Sequence, residues 1–196
     1  MIEIRIKDII KKFECELLYG NENEILDNFS KDTRDIKEND VYVGIKGENF
    51  NGNLFYEDAF NKGAKVAILE KESINISEVK KYDNKSVIIC NDSIKLLQEI
   101  AKYKRSLIKV PVVAVTGSVG KTSTKDMIYS VLKEKYRVVK TEGNFNNHLG
   151  LPLTILKYKD EDILVVEMGM NNLGEISLLS DIAKPDIAVI TNIDPV

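Results

Sequence analysis

Along this chain, short apolar runs rich in β-branched residues alternate with longer stretches whose apolar positions recur at helical spacing. In the first half, strand-like runs fall at 3–7, 15–18, 40–45, 65–69 and 86–90, with helix-like stretches at 54–62 and 93–104. Ala64-Lys65-Val66-Ala67-Ile68-Leu69 follows a helix ending near Gly63, an ordinary helix-to-strand connection. This pattern predicts a small α/β domain. In the second half, strands at 112–115, 137–140, 163–167 and 187–191 alternate with helices over 122–135, 152–157 and 174–183. Strands that are apolar throughout predict a parallel sheet covered on both faces. The basic stretch 102–111 runs into Pro111 and marks the boundary. The expected organisation is two α/β domains, 1–105 and 106–196. The last residues, Ile187 to Val196, are a strand entering a loop, so the second domain is expected to be incomplete.

The strongest chemical signal lies where the second half begins. Val112-Val113-Ala114-Val115 reads as a buried strand, Thr116-Gly117-Ser118-Val119-Gly120 as a loop, and Lys121-Thr122-Ser123 as the start of a helix. Strand, glycine loop and helix in that order are the context a phosphate-binding P-loop requires. Glycines let backbone N–H groups face an anion, and the helix N-terminus adds partial positive charge. Lys121 would reach the β/γ-phosphates of ATP, and the Thr122 hydroxyl would hold Mg²⁺. The general pattern G-x-x-x-x-G-K-[ST] places its first glycine at Val115, so this loop departs from it.

Composition narrows the picture. The chain has 196 residues, enough for one large domain or two modest ones, and an ordinary charged fraction. A net charge of −3 gives no broad basic surface, which argues against nucleic-acid binding. The two cysteines, Cys15 and Cys90, have no metal-like spacing and read as free thiols. The N-terminus is not a signal peptide, and no apolar run is long enough to span a bilayer. A soluble cytoplasmic protein without membrane insertion is expected.

Three other stretches carry candidate chemistry. Ile163-Leu164-Val165-Val166-Glu167 is a buried strand ending in a carboxylate, placed to approach a phosphate-bound Mg²⁺; the alternative is a strand-end acid in solvent. Glu142-Gly143-Asn144-Phe145-Asn146-Asn147-His148 is a polar loop whose amides suit a mixed polar ligand, or a loop held by its own turns. Ser30-Lys31-Asp32-Thr33-Arg34 offers hydroxyl, carboxylate and guanidinium groups beside a strand; a plain surface turn fits the composition equally well.

Together these segments resemble the Mur ligases, ATP-dependent amide-forming enzymes of peptidoglycan synthesis. Thr116 to Thr122 is similar to the family's own P-loop variant, in which a Thr-Gly pair replaces the first glycine. Lys140 to Asn147, Leu149 to Thr154, and Glu167-Met168-Gly169-Met170-Asn171 resemble the branch that joins D-Ala-D-Ala to UDP-N-acetylmuramoyl-tripeptide. Asp32-Thr33-Arg34 and Gly44-Ile45-Lys46-Gly47 resemble the domain that holds the uridine nucleotide. The resemblance implies Lys121 and Glu167 as catalytic residues and Thr122 and Glu167 as metal ligands. It also implies substrate contacts from Ser30, Asp32, Thr33, Arg34, Lys46, Gly47, Asn144, Asn146 and Asn147.

Two positions depart from the family: Asn51-Gly52-Asn53 stands where Asp-Gly-His is common, and Asp194 where glycine is usual. In the family a second-metal histidine, a carbamylated lysine, the adenine-binding segment and a dipeptide-positioning C-terminal domain follow. These lie beyond Val196, so the chain alone is expected not to complete the reaction. The family suggests a monomer, and an open sheet edge leaves self-pairing available. Competing readings are another Mur-type amino-acid ligase, a P-loop ATPase or kinase with an accessory domain, and a nucleotide-binding module without chemistry.

Overall fold

A computed structural model describes residues 2–193, so Asp194 lies outside the described residues. The chain divides into two compact units, residues 3–100 and residues 101 onward, with residue 2 grouped with the second. The division falls inside a helix, α3 (Ser93–Leu107), which continues three residues past the end expected for it and through the start of the basic stretch read as a boundary.

The first unit runs α1 (Ile6–Ile10), β1 (Cys15–Tyr19), β2 (Phe29–Ser30), β3 (Val41–Val43), α2 (Tyr56–Asn61), β4 (Val66–Glu70) and β5 (Ser86–Cys90) before α3 begins. Its sheet has the order β1-β5-β4-β3-β2. β1 pairs antiparallel with β5, and every other pair is parallel. All five residues of β5 are buried, as are Val66 to Leu69 of β4, so these central strands are covered on both faces. One face packs Tyr42, Ala67, Leu69, Val87 and Ile89 against Tyr56, Ala59 and Phe60 of α2. Cys15 and Cys90 face each other across β1 and β5 as free thiols, and burial raises them to about 11 and about 12 respectively.

The strand expected at 3–7 is instead a bridge at Arg5 followed by helix α1. Asp8 accepts the Arg5 N–H at 2.8 Å, and Ile6 and Ile9, one helical turn apart, are both fully buried. That i,i+3 spacing and the local cap outweigh the Ile/charge alternation that precedes them. The two-residue strand β2 was too short to leave a pattern.

The second unit continues with β6 (Val112–Thr116), α4 (Lys121–Leu132), β7 (Val138–Lys140), α5 (Gly150–Leu156), β8 (Ile163–Glu167), α6 (Glu175–Ala183) and β9 (Ile187–Ile190). Its four strands are all parallel, in the order β7-β8-β6-β9. β6 and β8 form the buried centre, with Val112, Val115, Leu164, Val165 and Val166 fully buried. Coverage on both faces does not extend to β9, an edge strand whose Ile187 and Ile190 are 54% and 58% exposed.

Two cations from the end of α3 lock this unit. Lys104 is buried and donates to the Leu156 carbonyl at the end of α5 (2.7 Å). Arg105, also buried, donates to the carbonyls of Ala183 (2.6 Å) and Lys184 (2.8 Å) at the end of α6. Positive charge at a helix C-terminus satisfies carbonyls that have no helical partner. Arg105 also reaches Asp186, whose carboxylate accepts the Val112 N–H at 2.8 Å and so ties the start of β6 to the residue before β9.

Candidate active site

The P-loop lies at the carboxyl end of β6, where open parallel sheets bind their ligands. Gly117 has φ +136°, and a Cβ there would sit 2.1 Å from Thr191 Oγ1. Gly120, at φ +82°, precedes α4 directly. Both conformations belong to glycine. Ser118, Val119, Gly120, Thr122 and Ser123 are exposed, so the loop is open to a ligand. Lys121 Nζ folds onto the carbonyls of Gly117 (2.7 Å) and Ser118 (3.2 Å).

Thr191 and Asn192, which follow β9, brace the loop and were not singled out from the sequence. The Thr191 hydroxyl donates to Val119 O at 2.5 Å, and the Val119 N–H donates to Asn192 Oδ1 at 2.9 Å. The Ser118 N–H donates to the Asn192 carbonyl at 3.2 Å. A strap seventy-odd residues away leaves no local mark in the sequence.

Glu167 ends β8 beside this loop and pairs in register with Val115. It is 2% exposed. Its N–H donates to the buried Thr141 Oγ1 (3.0 Å), and its Oε1 accepts from Asn146 Nδ2 (2.8 Å). Its Oε2 is buried with no hydrogen-bond partner. The nearest cation is Lys125 of α4, itself 2% exposed, with Nζ 3.7 Å from Oε2. A buried carboxylate oxygen left without a hydrogen bond is costly to stability, and such a group points to an unmet ligand or a working role.

That orphaned oxygen fits Mg²⁺. A Thr hydroxyl in the first helical turn and a carboxylate one strand over are hard oxygen donors. Among the described residues no cluster of three or more His, Cys, Asp or Glu is poised to hold a metal. Mg²⁺ bound through one or two protein oxygens and the phosphates needs no such cluster.

In the asparagine loop the three amides do different things. Asn146 fixes Glu167, and its carbonyl accepts the Gly169 N–H at 2.8 Å. Asn147 Oδ1 accepts the N–H groups of Leu149 (3.1 Å) and Gly150 (2.9 Å) where α5 begins. Asn144 and His148 are exposed.

In the first unit, the loops after β2 and β3 share the carboxyl edge of the sheet. Ser30 Oγ accepts the Asp32 N–H at 3.2 Å. Asp32 accepts the Arg34 N–H and pairs with its guanidinium at 2.5 Å, which holds the Asp32 carboxyl well below its ordinary range. The Arg34 side chain is nonetheless 84% exposed. Thr33 Oγ1 accepts from Lys62 at 3.5 Å. Lys46 bridges to Asn51, and the Gly47 N–H donates to Phe50 O at 2.8 Å. Beside them Phe50 and Phe55 stack with centroids 4.9 Å apart, both exposed.

Asn51-Gly52-Asn53 turns out to be internal structure. Asn53 is fully buried; its Oδ1 accepts the Glu70 N–H (2.8 Å) and its Nδ2 donates to Asn51 Oδ1 (3.0 Å). Asn51 in turn donates to Ser73 O at 2.7 Å.

A glycine loop between a parallel strand and a helix, with a buried acid at the neighbouring strand end, has the form of a nucleotide-phosphate site, and sequence comparison places the chain. Residues 115–196 match the model of the Mur ligase middle domain. The chain belongs to the Mur ligase family. It is 42% identical over 195 residues to the UDP-N-acetylmuramoyl-tripeptide–D-alanyl-D-alanine ligase of Bacillus subtilis, covering 98% of this chain and 42% of that one. Identity to the Borreliella burgdorferi protein of the same name is 37% over 204 residues, covering 98% and 44%. Among solved structures, MurF ligase from Thermotoga maritima in complex with ADP matches with TM-score 0.69 and 39% identity, over 85% of this chain and 37% of that one. The Acinetobacter baumannii UDP-N-acetylmuramoylalanyl-D-glutamyl-2,6-diaminopimelate–D-alanyl-D-alanyl ligase matches with TM-score 0.74 and 31% identity, over 88% and 37%. The chain thus spans about two fifths of the length of the curated relatives it matches.

Proposed function

We propose that this chain is part of a cytoplasmic ATP-dependent ligase that joins D-Ala-D-Ala to UDP-N-acetylmuramoyl-tripeptide. The observation that carries this reading is the orphaned, buried Glu167 oxygen beside a P-loop, within a chain that aligns with such ligases over 98% of its length. In the proposed reaction the tripeptide's terminal carboxylate takes the γ-phosphoryl group of ATP, and ADP leaves. The amine of D-Ala-D-Ala then attacks the acyl carbon, and inorganic phosphate departs as the amide forms. A carboxylate is a poor electrophile, and phosphorylation supplies its leaving group.

Within that scheme Thr116 to Ser123 cradle the phosphates through backbone N–H groups, and Lys121 swings from the loop carbonyls onto the β/γ-phosphates. Thr122 and Glu167 would hold Mg²⁺, which would supply charge neutralisation for the transferred phosphoryl group. Asn146 holds Glu167 Oε1 and so leaves Oε2 as the oxygen that would be available to the ion. In the first domain, Ser30, Asp32, Thr33, Arg34, Lys46 and Gly47 receive the uridine diphosphate, with Asp32 aiming the Arg34 fork. Asn144 contributes to the substrate side of the asparagine loop, and Asn147 shapes that loop through its cap on α5.

Calorimetric titration with UDP-N-acetylmuramoyl-tripeptide, and with UDP as a second ligand, tests the substrate assignment. Saturable binding that UDP retains is expected. A folded chain that binds neither ligand overturns the assignment of the first domain.

A further inference from the structure

Among the described residues of the second unit, the phosphate cradle, the metal ligands and the asparagine loop leave one buried charge without a task. Lys125 is the only buried residue of α4, while Met127 and Val131 on the same helix are 70% and 73% exposed. A lysine occupies an interior position, and two apolar side chains of the same helix face water. Ordinary amphipathic packing produces the opposite arrangement. The Lys125 ammonium lies 3.7 Å from Glu167 Oε2 and 3.5 Å from Asp126 Oδ1. Asp126 already has a closer partner, Lys140, at 2.7 Å. Glu167 Oε2 has no hydrogen bond at all, so the lysine is close enough to balance its charge and too far to saturate it.

We infer that Lys125 is a positioning residue that acts as an internal stand-in for the divalent cation. It neutralises Glu167 when no metal is bound and yields Oε2 to the metal when nucleotide arrives. This rests on the proposed metal site at Thr122 and Glu167. The physical argument is charge balance. A buried carboxylate without a counter-ion is strongly destabilising, and a hydrogen-bonded ion pair would be hard for a metal to displace. A pair held at 3.7 Å with an unsaturated oxygen lies between these limits. Lys125 also keeps a second carboxylate, Asp126, within reach when Glu167 turns to the metal.

Two readouts test this. Melting of the metal-free chain is compared across wild type, Lys125→Met, Glu167→Gln and the double variant. Lys125→Met keeps the stem volume and is expected to lower the midpoint by roughly 5–10 °C, and to cost much less in the Glu167→Gln background. Equal losses in both backgrounds overturn the pairing. The second readout is the Mg²⁺ concentration giving half-maximal enhancement of ADP binding. Removing the competing ammonium, by Met or by Gln, is expected to lower it about tenfold, whereas Lys125→Arg retains the charge and the wild-type value. An unchanged value in the neutral variants overturns the inference while leaving the metal site intact. ADP binding that ignores Mg²⁺ in the wild type overturns the metal site itself, and the inference with it.

Discussion

The carboxyl edges of the two sheets place their charges in opposite ways. In the first unit Asp32 and Arg34 pair in a loop where the guanidinium is 84% exposed. In the second, Glu167 and Lys125 are each 2% exposed and imperfectly matched. An exposed pair is cheap, contributes little to stability and reveals little about function. A buried pair with an orphaned oxygen is expensive and needs a reason to exist. Charge in the interior is therefore the sharper functional marker, and the exposed loop becomes informative only when a ligand is tested against it.

The largest effect expected is structural and lies in the second unit. A Cβ at Gly150 would sit 2.3 Å from the Phe145 backbone, within the turn that carries Asn146 to Glu167. Gly150→Ala is expected to destabilise by about 3 kcal/mol or more, because backbone cannot give way as a side chain can. Chemical denaturation measures it, and a loss below about 1 kcal/mol would show that the turn is pliable.

Next comes Glu167→Gln. The neutral amide keeps the size of the side chain and removes its charge. The melting midpoint is expected to fall, because Lys125 is left as a buried charge with only Asp126 at 3.5 Å to offset it, while Mg²⁺ enhancement of ADP binding disappears. Retained enhancement, read by calorimetry with and without Mg²⁺, would take the metal away from Glu167. In the first unit Arg34→Ala should leave the melting midpoint nearly unchanged, since an exposed pair is all it breaks. UDP affinity should nonetheless fall about tenfold, through a lost charge-assisted contact. Unaltered UDP affinity would return the loop to plain surface.

The smallest effect is a pH dependence. Glu57 accepts from the Tyr82 hydroxyl at 2.6 Å and the Lys80 ammonium at 2.9 Å, which together lower its carboxyl. A depressed carboxyl stabilises the fold above its unfolded value of about 4.3 and loses that contribution as pH falls through the folded value. Glu57→Gln should therefore flatten the fall in melting midpoint on acidification below about pH 4. An equally steep fall in the variant would remove Glu57 from the account.

Much of this architecture was legible in the chain. The buried strands β6 and β8 and the loop between β6 and α4 are local patterns, and Val112 to Thr116 and Ile163 to Glu167 form strands where their apolar runs predict them. The edges of the pattern were harder to read. Ile4 and Ile6 continue an alternation that reads as strand, yet the Asp8 cap and buried Ile9 turn the chain into helix. Lys125 was invisible as an interior residue, because helical spacing alone makes Met127 and Val131 look like the buried face. The partner that faces it inside is Glu167, which lies forty-two residues on. Thr191 and Asn192 were hidden for the same reason, since their partners lie in a loop more than seventy residues earlier. Periodicity reports what a residue does to its neighbours in sequence, and long-range charge pairing lies outside it.

The most direct measurement is calorimetric titration of ADP into the wild-type chain and into Lys121→Ala, each with and without Mg²⁺. Saturable binding strengthened by Mg²⁺ in the wild type, and weakened at least tenfold by Lys121→Ala, is the predicted result. Equal binding by the two folded proteins, or none by the wild type, would contradict the reading of residues 116–123 as a nucleotide-phosphate cradle.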